Sequence, residues 1–507
     1  MALLGVDIGT SGVKVLCGDP RGKILADVTV EYPLYAPRPG WSEQDPGDWW
    51  RGVVRATREA LTRAKAKPGD IAAIGLSGQM HGSVFLDKHD RVLRRALLWN
   101  DQRTAAECDE ITRLAGGRAA LLRMTSNPAL TGFTAPKILW LRNHEPRLYD
   151  RVARVLLPKD YIRLRLAGVH ATDVSDASGT LLLDVRKRAW SKPLLSKLGI
   201  DPDWLPRLYE SPETTGTLAA AAARELGLAP GIPVVAGAGD QAAGAVGNGI
   251  VTRGAASAMM GTSGVIFAHA DAVETDPAGR VHTFCHAVPG KWHVMGVILA
   301  AGGAFQWFRN ALGGEEMAEA KKRGIDPYEL LTARAANVPA GSDGLFFLPY
   351  LTGERTPHAD PAARGCFVGL TARHGKAEMA RAVMEGATFA MRDALEIMRG
   401  MGVKPGEMRL SGGGAKSAFW ARLQADCYGC DACVTHSTAG SAYGAMLLAG
   451  VGAGVWKTVP EACDATIRIA KRYKKNPKTA GIYDRHYAVY RGLYPALRDA
   501  FRKIAAL

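Results

Sequence analysis

The sequence predicts an α/β protein of two domains built on a duplicated core. Three observations carry that expectation. The chain has 507 residues, and a single hydrophobic core stops growing near about 250–300 residues. The pentapeptide Gly-Thr-Ser-Gly-Val stands at 9–13 and again at 261–265, about half the chain apart and flanked by apolar stretches both times. A repeat at that spacing points to gene duplication. Finally, short apolar runs that end in glycine turns alternate with segments of helical period, the pattern of α/β layers.

Taken in order, Leu3 to Cys17 reads as a strand, a glycine-rich turn and a second β-branched strand. Asp45-Pro46 caps and starts a helix with Trp49, Trp50, Val53 and Val54 on its apolar face. Ile71 to Leu76 is a strand that runs into Ser77-Gly78-Gln79-Met80-His81-Gly82, and Pro233 to Asp240 is a strand ending in a glycine turn. Ala258 to Phe267 repeats the opening pattern. Lys376 to Met398 has helical period, and Met408 to Gly414 is again strand and then glycine loop. From about Asn476 the chain reads as a helix whose Tyr483, Tyr487, Tyr490 and Tyr494 form a packing face. The junction falls within 245–255, giving domains 1–248 and 249–507, with the last helix as the candidate to pack back on the first domain.

Composition narrows the function. The chain is 47% apolar and 22% charged, with 58 glycines in no fixed period, as in globular proteins. The longest nearly apolar stretch, Val294 to Phe305, is well short of the roughly 20 residues that span a bilayer. The N-terminus has no basic start and carries Asp7, so the expectation is a cytoplasmic protein without a secretory signal. The net charge of +15 is scattered, its densest run being Lys471 to Lys475; a solvated basic surface explains it without nucleic acid. Cys427, Cys430 and Cys433 are spaced like metal ligands, yet the next cysteine is Cys463. A helix end running into a strand is the simpler reading, with all eight thiols free. The oligomeric state is left open, a homodimer being the candidate.

Neither Gly-x-x-x-x-Gly-Lys-Ser/Thr nor Gly-x-Gly-x-x-Gly occurs, so phosphate binding needs another device. The turns at 9–12 and 261–264 supply one. Glycine lets amide N–H groups converge on an anion, and Thr10, Ser11 and Thr262 add hydroxyl donors. Asp7, just before the first turn, suits a hydrated Mg²⁺ held against those phosphates. Two ordinary hairpins explain either turn alone; the duplication and the acid favour phosphate.

Gly5 to Lys14 resembles the first phosphate motif of the FGGY carbohydrate kinases, in the actin/hexokinase superfamily. The resemblance runs on through Trp41-Ser-Glu-Gln-Asp-Pro46, Ser77 to Gly82, Trp99-Asn-Asp-Gln-Arg103, Leu157-Pro-Lys-Asp160, Gly239 to Gly244, Leu348 to His358 and Ser411 to Ala415. It implies two actin-like (ribonuclease H-like) domains and an ATP-dependent, Mg²⁺-assisted sugar kinase. Gln79-Met80-His81-Gly82 is similar to the xylulokinase branch, which implies D-xylulose phosphorylated on its 5-hydroxyl. The family match implies that Asp240 is the catalytic base and shares the metal with Asp7, although an aspartate before a helix also serves as a cap. It implies sugar contacts at Met80 and His81, and at Trp99, Asp101 and Gln241. On the nucleotide side it implies Gly261, Thr262, Gly302, Gln306, Gly413 and Gly414 beside Thr10 and Ser11. The chain departs from many relatives at Ala418, where they carry asparagine near the adenine, so base recognition is expected to lean on backbone. Two alternatives stay open: a kinase for another ketopentose or polyol, such as ribulose, ribitol or glycerol, and an actin-like ATPase that uses no sugar.

Overall fold

The structure, a computed structural model, describes residues 1–436 and 440–507. Two seven-stranded sheets, each with its own apolar core, carry the α/β architecture that the repeat predicts. The first is built from β1 (Ala2–Ile8), β2 (Gly12–Gly18), β3 (Ile24–Glu31), β4 (Ile71–Gly78), β5 (Thr214–Thr217), β6 (Pro233–Val235) and β7 (Ala238–Gly239), in the order β5-β6-β4-β1-β2-β3, with β7 also on β4. The second comprises β8 (Ala255–Met260), β9 (Gly264–Ala270), β10 (His282–Cys285), β11 (Trp292–Ile298), β12 (Glu407–Gly412), β13 (Asp431–Thr435) and β14 (Ile469–Tyr473), in the order β10-β11-β9-β8-β12-β13-β14.

The repeat is visible in the pairing. β1 runs antiparallel to β2 and parallel to β4, while β8 runs antiparallel to β9 and parallel to β12. Helices cover the sheets: α1 (Pro46–Ala64), α2 (Asp240–Gly247), α3 (Gly302–Leu312), α4 (Lys376–Gly400), α5 (Ala418–Tyr428), α6 (Gly440–Gly452) and α7 (Pro477–Ala505) are those that matter for the site. Asp45 caps α1 by accepting from the Gly47 amide, and Trp49, Trp50 and Val53 go into the first core.

The last helix does not return to the first half. The Tyr483, Tyr487, Tyr490 and Tyr494 face of α7 is buried against the second core, with Tyr483 bonded to Glu385 at 2.9 Å and Tyr487 to Asp393 at 2.7 Å, both on α4. Those carboxylates satisfy phenol hydroxyls that would otherwise be stranded in the core, so α7 stays with α4. The helix that reaches the first sheet is α6. It lies so close to β1 and β4 that a Cβ on Gly5 would meet the Ala442 carbonyl at 2.0 Å, and one on Gly75 the Ala445 carbonyl at 1.9 Å. Only glycine permits that approach. All eight cysteines are free, and Cys427, Cys430 and Cys433 follow the end of α5 into β13. Among the described residues no helix is long and apolar enough to cross a membrane.

Candidate active site

Strand register assembles the first half of the site. Asp7 pairs with Ser77 and Ile8 with Gly78, while Gly239 pairs with Gly78 from the other side of β4. The three strands are parallel, so their carboxyl ends bring together the 9–12 turn, the 79–82 loop and Asp240 at the start of α2. The carboxyl edge of parallel strands is where α/β folds bind ligands. Ser441 on α6 donates to the Asp240 carbonyl at 2.9 Å.

Two carboxylates stand at this edge, Asp7 near the end of β1 and Asp240 at the start of α2. Asp7 Oδ1 is buried with no partner at bonding distance. Burial pushes the Asp7 carboxyl up to about 6, with Ser77 and Lys14 opposing. Asp240 is pushed up to about 7, by burial first and then by the negative charge of Asp7, with Gln241 opposing. A pair of close, under-compensated carboxylates suits one divalent cation whose remaining ligands are phosphate oxygens and water. Among the described residues no cluster of three or more His, Cys, Asp or Glu side chains is arranged to hold a metal by itself.

The first turn is fixed by side chains. Gln44 Nε2 donates to the Thr10 carbonyl at 2.7 Å, Thr10 Oγ1 donates to Gln79 Oε1 at 3.1 Å, and Trp99 Nε1 donates to Thr10 Oγ1 at 2.9 Å. Gln79 and Trp49 both donate to Gln44 Oε1, closing the network. Ser11 stays exposed at the tip.

His81 sits in a left-handed conformation with φ 69°. Its Nδ1 lies 2.7 Å from the Gly179 carbonyl. A carbonyl only accepts, so Nδ1 carries the proton and Nε2 is left as an acceptor. Burial holds the ring neutral, its value well below the ordinary one. The backbone of His81 is anchored by Thr134 Oγ1 at 3.0 Å and Lys137 Nζ at 2.9 Å, both donating to its carbonyl. Met80 is buried, 3% exposed, and its side chain fills the space beside Gly239. It therefore shapes the wall under Asp240 and offers little open surface. Asp101 is enclosed as well: it accepts from the Ser42 amide at 2.7 Å and from Arg103, which itself stacks 3.5 Å over Trp41. That carboxylate braces its own loop and has no free face for a sugar.

Sequence reasoning passed over three features. Gln44 and Gln79 lie inside quoted motifs, but only the fold reveals that they clamp Thr10. Lys159, Asp160, Asp173 and Asp176 form a fully enclosed ion cluster, with Lys159 Nζ at 2.6, 2.9 and 3.3 Å from the three acids. Asp173 also accepts from Ser175, whose oxygen accepts from the Gly239 amide at 3.2 Å, so the cluster supports the strand end before Asp240. Arg355 comes from the second half and bears electrostatically on His81.

The second half holds a cavity of about 780 Å³. The register again explains it: Met260 pairs with Gly412, so the 261–264 turn meets the 413–414 loop. Gly261, Thr262, Gly302, Gln306, Gly413 and Gly414 all line this cavity, together with aromatic Phe305, Tyr328 and Trp420. A Cβ on Gly302 would meet the Gly261 carbonyl at 2.5 Å, which is why α3 begins with glycine. Ala418 lines the same cavity beside Ser417 and Phe419.

The profile of the FGGY carbohydrate kinase N-terminal domain matches residues 2–247, and that of the C-terminal domain matches 256–453. The chain belongs to the FGGY family of carbohydrate kinases. It is 43% identical over 460 residues to the xylulose kinase of Escherichia coli K12, covering 90% of this chain and 91% of that one. To the xylulose kinase of Bacillus subtilis 168 it is 38% identical over 497 residues, 98% and 97% of the two chains. The crystal structure of xylulose kinase from Rhodospirillum rubrum superposes with a TM-score of 0.91 at 30% identity, over 99% of this chain and 100% of the other. The fold is thus the two-domain actin-like one of FGGY kinases, and sugar and ATP are the substrates of this class.

Proposed function

We propose that the protein transfers the γ-phosphoryl group of ATP to the 5-hydroxyl of D-xylulose, with Asp240 as catalytic base. The observation that carries this reading is Asp240 beside Asp7 at one sheet edge, next to the neutral His81. Full-length similarity to proteins named xylulose kinase supports D-xylulose as the acceptor.

In this reading the sugar lies on the first half, with Nε2 of His81 accepting from a hydroxyl and Gln241 and Trp99 flanking the chain. Met80 and Asp101 act by shaping and bracing that wall. Asp240 takes the hydroxyl proton as the sugar oxygen bonds to the γ-phosphorus and ADP leaves, which needs a close, aligned approach more than covalent help from the protein. The amides and hydroxyls of Thr10, Ser11 and Thr262 cradle phosphate oxygens, and the purine lies along Gly413 and Gly414, with Gly302 and Gln306 toward the ribose and phosphates. Asp7 and Asp240 would hold Mg²⁺, which when bound neutralises charge on the transferring group. Closure of the two halves over both substrates excludes water. A cytoplasmic location and a homodimer complete the proposal; light scattering of the purified chain checks the latter.

The test is ADP release with Mg-ATP against D-xylulose, D-ribulose, L-ribulose, ribitol, glycerol and a no-sugar blank. A strong rise with D-xylulose alone is expected. A rise with a different acceptor overturns the substrate assignment, and fast turnover without sugar overturns the kinase reading.

A further inference from the structure

A second cavity, of about 600 Å³, lies between α4, α7 and the segments 276–280 and 350–358. It shares no lining residue with the 780 Å³ nucleotide-side cavity. Tyr350, Tyr487, Tyr490 and Tyr494 line it together with Asp393. Asp393 is only 8% exposed. Its Oδ1 accepts from Tyr487, and Oδ2 has no partner among the described residues. The Tyr350 hydroxyl lies 3.3 Å from that of Tyr490 and 3.2 Å from His358 Nε2, a chain of neutral donors and acceptors.

The acids lining this space, Asp276, Asp393 and Glu396, outnumber its bases, Arg280 and Arg491, and the Arg491 charge bears on Asp393. Arg280 is held by Asp276 through two hydrogen bonds, and Glu396 accepts from Arg392 and Arg399. The cavity meets α4 at its C-terminal end, Gly400 and Met401, where carbonyl dipoles disfavour an anion. A nucleotide or sugar phosphate is therefore a poor occupant. Aromatic faces for C–H groups, phenols that donate and accept, and one open carboxylate oxygen suit a neutral polyhydroxyl compound instead.

The cavity also touches the acceptor side. Its wall residues Pro357 and His358 follow Glu354 and Arg355. Thr356 Oγ1 donates to the Arg280 carbonyl at 3.0 Å and accepts from the Val297 amide at 3.2 Å, while Glu354 accepts from the Leu299 amide at 2.9 Å. One short segment thus forms the wall of this cavity and carries Arg355 toward His81 and His282.

We propose that this cavity is a second, non-catalytic binding site for a free sugar or polyol, whose occupancy bears on the acceptor site through the Glu354–His358 segment. The second site needs no particular acceptor, while the count of two xylitol sites rests on the proposed pentose-sized acceptor site. Equilibrium dialysis of the full chain with radiolabelled xylitol tests it, comparing wild type with Asp393→Asn and Ile397→Phe. Ile397 lines the cavity and is partly exposed at the edge of the second core, so phenylalanine there adds bulk toward the space and leaves the Asp393 carboxylate in place. Two xylitol sites per chain are expected in wild type and one in each variant, with sugar-dependent kcat in the absence of xylitol within about 2-fold of wild type. If Asp393→Asn fails to fold, Ile397→Phe decides. The same number of sites in wild type and Ile397→Phe overturns the proposal.

Discussion

The two Gly-Thr-Ser-Gly turns occupy equivalent places in their sheets and differ in register. β1 and β2 pair Ile8 with Val13, whereas β8 and β9 pair Met260 with Gly264, one residue out from the duplicate position. Their anchors differ in kind. Side chains of Gln44, Gln79 and Trp99 hold the first turn. The main chain at the start of α3 holds the second, with the Ala301 and Gly303 amides donating to the Thr262 carbonyl at 3.0 and 2.9 Å and the Gly302 amide to that of Gly261 at 2.9 Å. A one-residue slip changes which face each side chain takes, so identical sequence serves two tasks. The acid is also one-sided: Met259 stands where the first copy has Asp7. In the proposed mechanism both turns cradle phosphate, and the first alone has an aspartate, Asp7, in its leading strand.

That asymmetry can be broken by substitution. Asp7→Asn should lower kcat by about 10²–10³-fold, the range for losing one electrostatic stabiliser of a transition state; Met259→Leu should leave kcat within about 2-fold. Equal losses in the two variants would refute the asymmetry. Thr10→Val removes a hydroxyl bonded to both Gln79 and Trp99 and should cost about 10–100-fold in kcat/KM for the sugar, since small misplacements at a reacting centre are expensive. Thr262→Val keeps the backbone anchors of its turn and should act mainly on the KM for ATP, by less than about 10-fold. Acid pH should sharpen the contrast further. In the proposed mechanism Asp240 works ionised, and burial and Asp7 push it up to about 7, so kcat/KM is expected to be present above that value and to fall as pH drops through it. A profile flat to pH 5 would contradict this. The smallest effect belongs to Trp99→Phe, which loses one hydrogen bond to Thr10 worth about 1 kcal/mol and should raise the sugar KM about 3–5-fold.

Local pattern made much of this legible. The repeat, the strand–glycine–strand periodicity and the Asp45-Pro46 cap depend on neighbouring residues, and both sheets follow them. What stayed hidden depends on distant pairing. Nothing near Asp101 announces that the Ser42 amide, 59 residues away, binds it, and Lys159 meets Asp173 and Asp176 only after folding. The helical period of α7 marks its tyrosine face without naming the partner; the carboxylates of α4 decide that. Conversely, the glycines at 5 and 75 look unremarkable in sequence, although they let α6 lie on the first sheet.

The most direct test of the account is single-turnover transfer from [γ-³²P]ATP to D-xylulose by Asp240→Asn, with ATP and sugar affinities measured on the same protein. The account predicts that both ligands bind within about 3-fold of wild type while transfer slows by about 10³-fold or more, within the range for a lost general base. Near-wild-type transfer by a folded Asp240→Asn protein would contradict it.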